Sequence, residues 1–177
     1  GLRLQEATDA LNAFGEVYLK QTLASGVIPQ ITAIFGTCGG GAALIPTLTD
    51  FTFMTAEGGK LFVNSPNALD GNYQAKLDTA SAAYLSENSS LVDGVFEDDA
   101  TTLANIRSLV DMLPDNNMED AESDCTDDLN RIIPNLDGFA KDARAVLQNI
   151  ADNNVFVEVK KDYAKDMVLG LITLTGR

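Results

Sequence analysis

The stretch at positions 36–46 is best suited to chemistry, because its small residues leave backbone groups accessible. Three consecutive glycines, Gly39, Gly40 and Gly41, follow an apolar run at 27–35 and lead into residues that can start a helix. A strand, a glycine turn and a helix N-terminus bring several unpaired N–H groups together. Such a place favours negative charge, either a bound anion or an oxyanion formed during a reaction. A tight turn without chemistry is the competing interpretation, and the glycines alone favour it.

The composition restricts what this stretch could do. The chain of 177 residues has no histidine, and its 26 acids against 12 bases give a net charge of −14. Without histidine, Ser–His catalysis, Cys–His catalysis and His-ligated zinc are excluded. The acidity argues against nucleic acid and anionic membrane surfaces as partners, because both need a basic patch. Chemistry must therefore use carboxylates, backbone dipoles, or a group brought by a partner or substrate.

The two cysteines, Cys38 and Cys125, lie far apart and form no CxxC pair. Neither a metal site nor a disulfide framework is predicted, and a reduced, cytoplasmic setting is the expectation. Cys38 lies in the glycine stretch, where a nucleophile is an alternative. Because no histidine is available to activate its thiol, the favoured interpretation is a buried packing residue.

An acidic segment and an uncharged segment each raise a further question. Positions 111–128 hold eight acids and no base, which favours a solvated linker over a calcium loop, since the required D-x-[DN]-x-[DN]-G-x5-E order is missing. No metal site is expected there. Positions 21–49 carry no charge, but Pro29, Gln30 and Pro46 favour a buried strand and turn over a membrane helix.

Hydrophobic periodicity predicts the helices and strands that must position the glycine stretch. Asp98 is expected to cap a helix over 98–113. The apolar face of this helix should be Leu103, Ile106, Val110 and Leu113. Gly58 and Gly59 predict a turn of the hairpin kind between two short strands. The pattern predicts helices over 4–24, 74–86, 98–113 and 139–151, and strands over 27–35, 49–54, 60–63, 91–96, 155–159 and 167–174.

Five segments together resemble a known family. Residues 1–6 are similar to its G-A-R-I-Q-E, residues 24–31 match its A-S-G-V-I-P-Q-I, and residues 36–51 are similar to its G-P-C-A-G-G-A-x-Y-S-P-A-L-T-D-F. Residues 113–117 resemble its L-P-x-N-N, and residues 156–165 resemble its F-x-E-V…Y-A-K. The family is the carboxyltransferase subunit of biotin-dependent acyl-CoA carboxylases of the propionyl-CoA and methylmalonyl-CoA type, with the related sodium-pumping decarboxylases.

The resemblance implies an α/β fold of the crotonase-like kind, a β-β-α spiral. Residues 1–114 would be the C-terminal half of an N-terminal crotonase-like domain, residues 115–138 an acidic linker, and residues 139–177 the start of a second such domain. The last two predicted strands cannot bury their own faces, which independently suggests that a second domain begins there.

The resemblance also implies an activity, the transfer of a carboxyl group between carboxybiotin and the α-carbon of an acyl-CoA. Its oxyanion hole would use backbone N–H groups of Gly40, Gly41 and Leu2. Biotin would arrive on a partner carrier protein or domain and supply the base, and the chain would form a homo-oligomer without membrane insertion. The residues expected to contact the acyl-CoA substrate are Cys38, Gly39, Ala42, Leu44 and Ile45.

The sequence departs from the family pattern at several points. Leu2 replaces Ala, Leu44 and Ile45 replace Tyr-Ser, and Asp93 stands where His is frequent. Residues 66–74 lack the family's T-G-E-x-V segment. Two alternatives therefore stay open: an acyl-CoA hydratase or isomerase of the same fold, and a non-catalytic or divergent assembly subunit.

Overall fold

The computed structural model describes residues 3–68, 78–120, 122, 124–128, 130–139 and 141–177. The predicted N-terminal helix is confirmed: a 3₁₀ turn at Leu4–Glu6 leads into helix α1, Ala7–Ala24. Its end follows from the next two residues, since Ser25 closes the last turn through its N–H and Gly26 has a φ of +72°. Glycine adopts this left-handed conformation without the steric cost of a Cβ.

Two small parallel sheets follow α1. The first contains strands β1 (Ile31–Ile34), β3 (Phe51–Thr55) and β5 (Gly94–Phe96), in the order β1-β3-β5. The second pairs β2 (Thr37–Gly39) with β4 (Lys60–Phe62). Because β3 has a partner on each edge, the hairpin predicted at Gly58 and Gly59 is wrong, and β4 pairs with β2 instead.

Strand β3 is buried on both faces, as expected of a central parallel strand. Phe53 and Met54 are adjacent, so their side chains lie on opposite faces, and both are almost fully buried. Met54 belongs to a cluster with Ile34 and Val92, among others. Phe53 belongs to a second cluster, with Leu109 and Val157. The core is therefore two apolar layers on either side of one sheet.

The next two helices begin at side-chain caps. Helix α2 (Ala82–Asn88) starts after Ser81, whose hydroxyl accepts a hydrogen bond from the N–H of Tyr84. Among the described residues the helix begins later than predicted and ends two residues further on, and residues 74–77 of that prediction lie outside the described residues. Helix α3 (Asp99–Val110) starts after Asp98, whose carboxylate accepts from the N–H of Thr101 at 2.7 Å.

The predicted inner face of α3 is only partly right. Ile106 and Leu113 pack against the buried cluster that contains Phe53 and Leu109, as predicted. Leu103 and Val110 are exposed, whereas Thr102 and Leu109 are completely buried. Thr102 can be buried because its hydroxyl donates to the backbone carbonyl of Asp98 at 2.8 Å. A pattern of apolar residues cannot reveal a core face that includes a satisfied hydroxyl.

The C-terminal part contains helices α4 (Leu136–Phe139) and α5 (Ala143–Ile150), and the antiparallel strands β6 (Phe156–Val159) and β7 (Leu169–Ile172). Within the described residues, β7 pairs with β6 alone. Val157 of β6 packs against Phe53 and Leu109, which attaches this hairpin to the first sheet.

The acidic segment is not simply solvated. Asp127 forms an ion pair with Arg131, and the Arg131 guanidinium donates to the carbonyls of Asn149 (2.7 Å) and Ala151 (2.8 Å). Close by, the buried Asp152 accepts hydrogen bonds from N–H groups of the C-terminal turn. The end of the acidic segment is therefore bound to the C-terminal part.

A buried ion pair joins Asp93, which precedes β5, to Lys160 in the C-terminal part of the chain. The Asp93 carboxylate accepts from the N–H of Thr52 at 2.7 Å and lies 2.7 Å from Nζ of Lys160. The backbone N–H of Lys160 also donates to the Asp93 carbonyl, at 2.7 Å. The Asp93 side chain is only 5% exposed, so loss of its partner would leave a buried charge uncompensated.

Lys160→Met should therefore lower the free energy of unfolding by about 2–3 kcal/mol, because it leaves the Asp93 carboxylate with the Thr52 N–H alone. Lys161→Met, at the exposed neighbouring position, is the matched control and should change stability by less than about 0.5 kcal/mol. Chemical unfolding of both variants measures the difference. Equal effects of the two substitutions would contradict the role given to this pair.

Asp152 predicts a pH dependence of stability. The hydrogen bonds from the backbone N–H groups of Gly176 and Thr175 hold the pKa of this carboxyl below its usual value of 3.8. A lowered folded-state pKa stabilises the fold above the unfolded-state pKa, and this contribution is lost as the pH falls through the folded-state pKa. Asp152→Asn should thus be less stable than the parent chain at pH 7, and the gap should shrink below pH 4. The exposed Asp166→Asn variant is the control. A stability difference between Asp152→Asn and the parent chain that does not change with pH would refute this prediction.

Candidate functional site

The glycine stretch forms a strand end followed by a short helix. Strand β2 ends at Gly39, and a 3₁₀ helix, Gly40–Leu44, begins at once. Gly40 has a φ of +66°, in the left-handed region where a side chain would be strained. The first N–H groups of a helix have no acceptor within that helix. The strand, glycine turn and helix start predicted for this stretch are confirmed, and the strand that enters the turn is β2, a separate strand after β1.

Helix α1 holds this turn from one side. The hydroxyl of Tyr18 donates to the backbone carbonyl of Gly41 at 2.5 Å. A Cβ on Gly41 would lie 3.2 Å from that hydroxyl oxygen and 3.4 Å from the ring of Phe14. The rings of Phe14 and Tyr18 stack with their centroids 6.0 Å apart. Glycine at 41 therefore lets α1 approach the turn closely.

Strand β4 holds the turn from another side. A Cβ on Gly39 would lie 2.7 Å from the ring of Phe62, closer than real Cβ contacts allow. Gly39 pairs with Phe62 in the β2–β4 ladder. The two residues thus fit one another, and the ring of Phe62 takes the space that a side chain at position 39 would need.

A cavity of about 260 Å³ lies next to the turn, at the carboxyl end of β1 and the beginning of β2. Three of the five predicted substrate contacts, Cys38, Ala42 and Ile45, line it. The carboxyl ends of parallel strands are a usual location for ligand sites in α/β folds. The full lining consists of Thr32, Ala33, Ile34, Phe35, Gly36, Thr37, Cys38, Ala42, Ile45 and Pro46.

The other predicted site residues have different positions. Gly39, Gly40 and Gly41 form the turn beside the cavity, without lining it. Leu44 is 43% exposed and does not line the cavity. Leu2 lies outside the described residues.

Sequence reasoning missed the contacts that α1 makes with the turn. Phe14 and Tyr18 stand four residues apart, as they must to share one helix face. That spacing was a sign that they act together, but nothing in it identifies Gly41 as their neighbour.

The cavity holds a thiol and no ionised side chain. Burial raises the pKa of the Cys38 thiol, so it stays protonated near neutral pH. Among the described residues, neither a carboxylate nor an ammonium group lines the cavity. The described lining therefore offers no charged side chain, and negative charge beside it would have to be stabilised by backbone N–H groups.

The model of the carboxyl transferase domain family matches residues 1–177, the whole chain. The chain belongs to this family. The chain is 37% identical to the propionyl-CoA carboxylase beta chain of Roseobacter denitrificans and 34% identical to the methylmalonyl-CoA decarboxylase subunit alpha of Propionigenium modestum, with 100% of the chain covered in each case. The resemblance stated from the five segments is confirmed.

The solved structures agree with the family. Transcarboxylase 12S, a hexamer solved with hydrolysed methylmalonyl-coenzyme A bound, matches the whole chain with a TM-score of 0.83 and 30% identity. The predicted crotonase-like α/β fold is thus confirmed. The chain spans 37%, 36% and 36% of the length of these three relatives.

None of the helices in the described part of the chain is both long and apolar enough to cross a membrane. Within the same residues, His, Cys, Asp and Glu form no group of three or more suited to a metal ion.

Cys38 provides a chemical test of the cavity. In a Cys125→Ser background, we expect iodoacetamide to alkylate Cys38 more slowly in the folded chain than in the denatured chain, because burial keeps the thiol protonated. The rate should rise as the pH increases through the raised pKa of the thiol. Mass spectrometry measures the rates, and identical rates in folded and denatured chains would contradict the burial.

Proposed function

We propose that the chain is the acyl-CoA side of a carboxyltransferase, which moves a carboxyl group between carboxybiotin and the α-carbon of an acyl-CoA. The observation that carries this proposal is the family match over the whole chain, together with the glycine turn beside an apolar cavity. Relatives that match over the whole chain are named propionyl-CoA carboxylase and methylmalonyl-CoA decarboxylase. We infer propionyl-CoA or methylmalonyl-CoA, or a close analogue, as the substrate.

The backbone of the turn supports an oxyanion hole. Loss of a proton from the α-carbon of the acyl group places negative charge on the thioester oxygen. The N–H groups of Gly40 and Gly41 start a helix, so they are available to that oxygen without a partner inside the helix. Leu2 would supply a further backbone N–H, and this assignment stays a prediction for a residue outside the described part.

The side chains around the cavity fit a reaction whose base arrives with another molecule. The chain has no histidine, and the titratable group in the cavity lining is the protonated Cys38 thiol. Biotin on its carrier would supply the carboxyl group, and with it a basic site that the described lining of the cavity does not offer. The chain's own part is to hold the thioester, exclude water with apolar walls such as Ile34 and Ile45, and stabilise the enolate.

The partners follow from the same proposal. A biotin carboxyl carrier protein or domain must reach the cavity, and the chain would work in a homo-oligomer in the cytoplasm. The relative transcarboxylase 12S forms a hexamer. The domain boundaries at 114 and 138 stay predictions, as does the second crotonase-like domain from 139 onward.

One departure from the family pattern favours a second candidate function, that of a non-catalytic assembly subunit. Ile45 lines the cavity where the family has Ser, which makes this wall larger and more apolar. A non-catalytic assembly subunit would tolerate such a change. Titration with propionyl-CoA, followed by an assay of transfer from carboxybiotin, separates the two. Binding with transfer supports the carboxyltransferase, whereas no binding supports the assembly role. A hydratase or isomerase would bind the thioester and convert it without a carboxyl donor.

Gly41→Val tests the oxyanion assignment. The new side chain would meet Tyr18 and Phe14, which already approach a Cβ at this position to 3.2 and 3.4 Å. It would therefore displace the N–H groups of the turn, and carboxyl transfer should fall by about 10²–10³. Carboxyl transfer from carboxybiotin is the measurement, with circular dichroism to confirm that the fold persists.

The matched control is Gly15→Ala, on α1, where no atom lies within 4 Å of the new Cβ. This variant should keep normal transfer and gain roughly 0.5–1 kcal/mol of stability from the better helix propensity of alanine. If the Gly41→Val chain folds and transfers carboxyl groups at a near-normal rate, the turn does not hold the enolate.

A further inference from the structure

The hydrogen bond between Tyr18 and the glycine turn has a consequence for catalysis. We propose that Tyr18 is a positioning residue, whose hydroxyl fixes the glycine turn so that its N–H groups are ready for the enolate oxygen. This inference rests on the proposed function. It adds a role for a residue on α1, outside the residues of the glycine stretch to which that function assigns the chemistry.

The turn needs an anchor from outside itself. Gly39, Gly40 and Gly41 have no side chains, and glycine has more backbone freedom than any other residue. An oxyanion hole is effective only when its donors are already in place before the charge develops. The Tyr18 hydroxyl supplies such an anchor by donating to the Gly41 carbonyl at 2.5 Å.

The neighbouring contacts fix the position of the Tyr18 side chain, and with it the geometry of this hydrogen bond. Phe14 stacks on the Tyr18 ring, and both rings face the place where Gly41 lacks a Cβ. One helical turn further on, the Gln21 side-chain amide lies 3.5 Å from the Ile45 carbonyl, a weaker contact at the other end of the 3₁₀ segment. Positions 14, 18 and 21 lie on one face of α1, so a single helix face holds the whole turn.

Packing of the core does not account for this contact. Helix α1, all of whose residues are described, has no fully buried residue. Its leucines at 11, 19 and 23 are more than half exposed. The polar contact of Tyr18 with Gly41 is thus the most specific connection between α1 and the rest of the site.

Tyr18→Phe removes the hydroxyl and keeps the ring. We expect kcat for carboxyl transfer to fall about fivefold to tenfold, as loss of one well-placed hydrogen bond implies, with KM for propionyl-CoA changed less than twofold. Tyr163→Phe removes a hydroxyl from a side chain that is 45% exposed and is the matched control, with no change in kcat expected. The assay uses the full-length protein with its biotinylated carrier.

A binding measurement separates positioning from mere stability. A nitronate analogue of propionyl-CoA carries charge where the enolate oxygen would be, whereas a CoA thioether has no such charge. Tyr18→Phe should weaken binding of the nitronate about fivefold to tenfold and leave thioether binding unchanged. A purely structural role would weaken both ligands equally, and that result would overturn the inference.

The outcomes distinguish this inference from the function on which it rests. If the parent protein transfers carboxyl groups and Tyr18→Phe does so with the same kcat and the same nitronate affinity, the positioning role is wrong and the proposed function stands. If the parent protein neither binds propionyl-CoA nor transfers a carboxyl group, the proposed function is wrong and the role of Tyr18 falls with it.

Discussion

Strand β3 must be buried on both faces, and most of the structure follows from this constraint. Phe53 and Met54 project from opposite sides of the strand, and each is almost completely excluded from solvent. One face is covered by elements close in sequence, which include β4, α2 and the glycine turn. The other is covered by α3 and by β6 from the C-terminal part. The site and the C-terminal hairpin therefore depend on the same strand, although they lie in different layers.

If the proposed function is right, the chain's contribution to the chemistry comes mainly from its backbone. A protein without histidine, whose candidate cavity is lined by apolar groups, hydroxyls and one protonated thiol, has few side chains that could react. It can still stabilise charge through N–H groups whose direction is fixed by the fold. For this reason the residues that shape the site are glycines, which allow close approach, and aromatic residues, which occupy the space that the glycines leave free. Phe62 beside Gly39 and Tyr18 beside Gly41 are two examples of one arrangement.

Local signals in the sequence predicted α1, the cap at Asp98 and the glycine turn, because periodicity, capping and glycine conformation act over a few residues. Properties that depend on distant partners were not accessible in this way. Strand β2 has little strand propensity of its own and exists through its pairing with β4. The buried face of α3 includes Thr102, whose hydroxyl finds its acceptor only once the helix has formed. In the site, the glycine turn could be predicted from the sequence. The contact of Tyr18 with this turn could not, because it depends on where α1 packs in the fold.

The ion pair of Asp93 with Lys160 joins residues 67 positions apart in the sequence. Contacts of such long range cost much chain entropy, and proteins dominated by them fold slowly. The first sheet can form from segments that follow one another closely, whereas attachment of the β6–β7 hairpin must wait until a long intervening chain has been brought back. Folding of this chain is therefore expected to end with that closure. Until then we expect the Asp93 carboxylate to stay hydrated, and the part of the Phe53 face that β6 covers to stay open to water.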